Sequence, residues 1–73
     1  MTKIEANEFV NNLEVGVDVD VKLGMSTRSV CKVKNNKFEI NDFIGGWSTA
    51  VVNKLVLVDV LVGDKSLLEL NWK

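Results

Sequence analysis

Few residues in this chain could do chemistry. It contains no His and a single Cys, Cys31. Without His, neither a Ser-His-Asp nor a Cys-His nucleophile can be assembled. A His/Cys zinc cluster and an intrachain disulfide are excluded on the same count. The carboxylates Glu14, Asp18 and Asp20 share one parity and would line one face of a strand. Neighbours at i and i+2 on a strand stand ~7 Å apart, wide for one hard cation without loop carbonyls. An acidic rim facing Lys22 and Lys32 is the simpler reading. The expectation is no catalytic residue, no cofactor and no metal.

Two segments have the chemistry of binding instead. Arg28, Lys32, Lys34 and Lys37 hold four of the nine cations in a stretch with no acid. Alternation would put Arg28, Lys32 and Lys34 on one outward face, with Lys37 just past a turn, as in a phosphate-binding strip. Asp18 and Glu39 on either side of Lys32 would make the same strip a cross-strand charge ladder, which is the favoured reading. In Gly45-Gly46-Trp47-Ser48-Thr49, a glycine pair precedes a Trp suited to anchor an interface or a ligand. The competing role for Trp47 is to fold back and close one end of the core. Cys31 is expected to face inward between Val19 and Ile40 as a small hydrophobe.

The elements that must position these residues follow from periodicity. Thr2-Lys3-Ile4-Glu5 has the spacing of a capping box, and Ala6, Phe9, Val10 and Leu13 follow at i, i+3, i+4 and i+7. This predicts a helix over about residues 2–12. From Leu13 the period becomes 2: Leu13, Val15, Val17, Val19, Val21 and Leu23 alternate with polar residues or Gly, predicting a strand over about 13–23. A Gly24-Met25-Ser26 loop would set Leu23 opposite Thr27, and an Asn35-Asn36 turn would set Val33 opposite Phe38. Both registers place Cys31 inside and Val30 outside. Further strands are expected over about 27–34, 37–43, 50–62 and 67–72. The fourth is kinked near Asn53-Lys54, and Leu68, Leu70 and Trp72 of the last point into the core.

Composition agrees with a mainly β chain. Val supplies 13 of 73 residues, and β-branched side chains suit a pleated surface. One helix and about five antiparallel strands read as one domain over 1–73, a small curved barrel of SH3-like or Sm-like layout. The element order is similar to that of Sm-like proteins, a likeness of layout alone, which implies no function. The longest uninterrupted apolar run, Leu55–Val58, is far short of the ~20 residues of a membrane span. The N-terminal segment lacks the cationic flank and apolar core of a signal peptide. With a free thiol, these features point to a cytoplasmic setting.

The functional expectation rests on residues 55–62, apolar on both strand faces except at Asp59. A one-layer barrel cannot easily bury both faces, so the outer one is covered either by the N-terminal helix or by another copy or a partner. On the second reading Leu55, Leu57, Asp59 and Leu61, with Trp47, are the expected interface. The reading is a non-catalytic interaction module acting through protein–protein contact, with a second copy of itself or a larger protein as partner. It would serve as a regulator, an inhibitor or an assembly subunit. The alternative is an Sm-like oligomeric nucleic-acid binder using Arg28, Lys32, Lys34 and Lys37. A net charge of −1 gives that alternative no global electrostatic attraction.

Overall fold

A computed structural model describes residues 1–23, 26–42 and 48–73. Helix α1 (Lys3–Asn11) is followed by four strands, β1 (Asp18–Leu23), β2 (Ser26–Lys34), β3 (Lys37–Asp42) and β4 (Ser48–Val52). Helix α2 (Lys54–Val62) and a 3-10 turn (Leu67–Glu69) complete the chain. The strands form one antiparallel sheet in the order β1-β2-β3-β4. The sheet is open, so the expected barrel is replaced by two layers. Val21, Val30, Phe38, Ile40 and Val52 on one sheet face join Ala6 and Val10 of α1 and Leu57, Val58 and Leu61 of α2 in one apolar cluster. Both helices therefore cover the same face, and the opposite face carries the polar side chains.

Helix α1 forms where the sequence predicts it. Thr2 is the N-cap: its hydroxyl accepts from the Glu5 amide (3.2 Å), and its amide donates to Glu5 Oε1 (2.9 Å). The four-residue stripe is the face turned to the core. Ala6, Val10 and Leu13 are buried, and Phe9 packs against them.

The expected fourth strand is half right. β4 ends at Val52, and residues 54–62 are helical, not extended. Asn53, read as a kink, is the N-cap of α2, its Oδ1 accepting from the Val56 amide at 2.9 Å. Gly63 ends the helix at φ 89°, and the Asp64 amide donates to Asp59 O while the Gly63 amide donates to Val60 O. That pair of bonds is a Schellman closure, which needs a left-handed residue at Gly63. With residues 54–62 removed from the sheet, too few strands remain to close a barrel, and α2 covers the apolar face instead.

Strand registers differ from expectation by one residue. Leu23 pairs with Ser26 rather than Thr27, so Val19 faces Val30 and Asp18 faces Cys31. A one-residue slip sends every side chain of β2 to the other face. Val30 is fully buried between Val19 and Ile40, and Cys31 moves to the polar face between Asp18 and Glu39. The physical reason is burial: an aliphatic side chain fills the core position better than a thiol, and no valine is left opposite Asp20. Asn35-Asn36 does form the turn, with Asn36 at φ 59° and Lys34 opposite Lys37. A bulge at Val33 then puts Lys32, not Val33, across from Phe38. Phe38 and Ile40 face the core as expected.

The strand expected over 13–23 begins only at Asp18. Gly16, at φ 82°, turns the chain and donates its amide to Lys32 O at 2.9 Å. Val15 and Val17 are left largely exposed. The expected last strand reduces to one bridge between Trp72 and Ala50, flanked by Thr49–Lys73 backbone bonds of 3.0 and 3.2 Å. Leu67, Leu70 and Trp72 pack on the core, while Leu68 points to solvent. Phe43 and the Gly24-Met25 pair lie outside the described residues.

Candidate functional site

The expected interface is mostly core. Leu57 is 0% and Leu61 5% exposed, both packed beneath α2 against the sheet and α1. Asp59 is half-buried, and its backbone carbonyl closes the helix end. Among its described members only Leu55, at 78%, projects into solvent. In a strand Leu55 and Leu57 would share a face, whereas in a helix they point about 200° apart. The helix therefore separates the set that alternation had joined. Trp47 and residues 45–46 lie outside the described residues; Ser48 and Thr49 begin β4, and Thr49 Oγ1 donates to Asn41 Oδ1 at 2.8 Å.

The basic strip is split. Arg28, opposite Val21, and Lys32, opposite Phe38, belong to the core-facing side of β2, whereas the bulge returns Lys34 to the polar side, opposite Lys37. Helix α2 supplies a cation that sequence spacing did not suggest. Lys54 donates its amide to Asn36 Oδ1 (3.0 Å) and its Nζ to Asn11 Oδ1 (2.7 Å). Lys32 and Lys54 thereby line a hollow of about 150 Å³ with Asn11, Asn35, Asn36 and Phe38. Four lysines thus lie around the β2–β3 turn, but on different faces. No signal in the sequence links Lys54 to this group until α2 is recognised as a helix starting beside that turn.

The polar sheet face holds the carboxylates. Across the strands Asp18, Cys31, Glu39 and Val51 form one row, and Asp20, Ser29, Asn41 and Thr49 the next. The Cys31 thiol is pushed above its ordinary range, chiefly by burial and then by the carboxylates of Asp18 and Glu39. It stays protonated at neutral pH, which suits an inert thiol rather than a nucleophile. Among the described residues no group of three His, Cys, Asp or Glu side chains has the geometry to hold a metal ion. No described helix is long and apolar enough to cross a membrane. A larger hollow, about 360 Å³, opens where β1 and α2 end, between Leu23, Val60, Leu67, Lys22 and Lys65. It offers apolar wall and two cations, but no acid–base pair.

The remaining feature is the β1 edge. The other edge strand, β4, has its outer side engaged by the Trp72 bridge, whereas among the described residues β1 has β2 as its one neighbour in the sheet. Its core-facing side chains are Val19, Val21 and Leu23, of which Val19 and Leu23 are only partly buried. Its outward side chains, Asp18, Asp20 and Lys22, are exposed. Val17, 47% exposed, extends the apolar character just before the strand. An edge of this kind offers backbone donors and acceptors to another chain. Sequence reading missed it because a barrel has no edges. No protein-family model, curated protein or solved structure matches this chain.

Proposed function

We propose that this chain is a non-catalytic interaction module that acts by protein–protein contact, as a homo-oligomer, in the cytoplasm. The observation that supports it is the open β1 edge, where half-covered Val19 and Leu23 stand beside exposed Val17. Strand addition at such an edge satisfies backbone groups and covers the apolar row in one step. A single core of this size contributes only ~3–5 kcal/mol of net stability, so association has much to add. The cytoplasmic setting rests on the free Cys31. Sedimentation equilibrium over a concentration series tests the reading: a mass rising above 8.1 kDa supports it, and a constant monomer mass refutes it.

A nucleic-acid role is the second reading, favoured by one observation, the placement of Lys54 beside Lys32 near Lys34 and Lys37. It no longer draws on Arg28 or on an Sm-like barrel. Affinity for single-stranded RNA that falls steeply with salt and is lost on Lys54→Glu would support it. Absence of binding at low salt would remove it.

A further inference from the structure

We propose that two copies of this chain pair antiparallel through β1, about a twofold axis at Val21, to make one eight-stranded sheet. The inference rests on the homo-oligomeric reading above and names its surface and register. Antiparallel self-pairing keeps each side chain on its own sheet face only in registers that shift by whole steps of two. Centring the axis on Val21 sets Asp20 against Lys22 of the second copy, twice, and Val19 against its Leu23, twice. Val21 meets itself. Opposite charges thus face each other on the polar side, while the core side becomes an apolar row joining the two cores. The neighbouring registers fail on charge. Centring on Asp20 sets that carboxylate against its own copy, centring on Lys22 sets the two lysines together, and centring on Val19 sets Asp18 against Asp20.

Charges on an edge strand usually prevent strand addition. Here they allow one partner and oppose others. A neutral or acidic strand laid on β1 would bury Asp20 against nothing or against another acid. A second copy, in this one register, supplies the matching lysine. The contact is isologous, so it closes at two chains and leaves no growing edge. The β4 edge does not compete, because Trp72 and Lys73 already occupy its side.

Charge reversal and its rescue test the register on the full chain. Asp20→Lys and Lys22→Asp are surface changes opposite the neutral Ser29 and Thr27 within the chain. Each places two like-charge contacts in the dimer and is expected to raise its Kd about tenfold. The double variant Asp20→Lys/Lys22→Asp restores both ion pairs and returns the Kd close to wild type, whereas registers centred elsewhere predict no rescue. Hydrogen exchange of the β1 amides provides a readout without substitution: protection increases with protein concentration if β1 is the contact. A wild-type dimer indifferent to both single variants, or a double variant weaker than either, overturns the β1 pairing and leaves the homo-oligomeric reading standing. A wild type that stays monomeric overturns both.

Discussion

Helices α1 and α2 are each nine residues long and each begins at a side-chain cap, yet only α1 is evident from periodicity. α1 lies at the surface with one buried stripe, so its polar residues mark where the apolar ones are not. In α2 every position except Lys54 and Asp59 is apolar. Four of its nine residues are valine, which favours a strand when judged by propensity alone. Tertiary packing overrides that preference: Leu57, Val58 and Leu61 join the cluster formed with the sheet and α1, and Val60 is buried as well. The lesson is that a helix buried over most of its surface loses its period but keeps its punctuation. Asn53 and Gly63 bracket it as an N-cap and a left-handed terminator should.

The test with the largest expected effect separates helix from strand at α2. Leu57→Lys buries an unpaired charge in the core, a cost that exceeds the ~3–5 kcal/mol a core of this size supplies. The variant is expected to be unfolded by circular dichroism. Leu55→Lys, on a side chain 78% exposed, should change stability by less than ~0.5 kcal/mol. Equal damage from the two substitutions would mean that they share a face, and α2 would be a strand.

Next come the caps. Gly63→Ala meets no atom within 4 Å of the added Cβ, so its cost is conformational: about 1–2 kcal/mol for an L-residue held left-handed. Asn53→Ala should cost about 1 kcal/mol by orphaning the Val56 amide. Both are read from urea unfolding midpoints. Null effects at both positions would show that packing alone holds α2. At α1 the matching change, Thr2→Ala, should cost about 0.5 kcal/mol, because residues 1–5 around that cap are all exposed.

The same contrast explains how much of the molecule was legible. Elements with one wet and one dry face were read correctly in kind: α1, the three-strand meander and the inward Val21, Phe38 and Ile40. What escaped was whatever depends on one residue more or less. The first hairpin connection is one residue shorter than expected, and the bulge at Val33 adds one back. Between them, Val30 and Cys31 exchange faces, and Arg28 and Lys32 both move from the expected outward face to the core-facing side. A binary pattern cannot see this, because Ser29, Cys31 and Val33 are nearly as acceptable inside as Val30 flanked by Arg28 and Lys32. The apparent alternation over residues 13–17 was a turn built on Gly16. The supposed interface was legible only as an apolar run; whether it met solvent or core depended on the helix. The β1 edge was hidden by the assumption of a closed barrel.

The smallest expected effect is electrostatic and again separates the two helices. At α1 the cap involves a charge. The Thr2 backbone amide, and then its hydroxyl, hold the Glu5 carboxyl below its ordinary value of 4.5. A carboxylate whose folded pKa lies below its unfolded one contributes stability that is present above the unfolded value and lost as pH falls through the folded one. At α2 the cap is the neutral amide of Asn53, which does not titrate. Acid should therefore loosen the first turn of α1 while leaving that of α2 intact. NMR titration of the Glu5 side-chain carboxyl carbon, with the Thr2 and Val56 amide shifts followed in parallel, measures both ends at once. The Thr2 amide should move with Glu5 below pH 4.5, and the Val56 amide should not follow. Thr2→Ala, which removes the hydroxyl but not the backbone donor, should return Glu5 only part of the way to its ordinary value. Full return would mean that the box depends on the hydroxyl to hold the turn together. No change would mean that the backbone bond alone sets the shift.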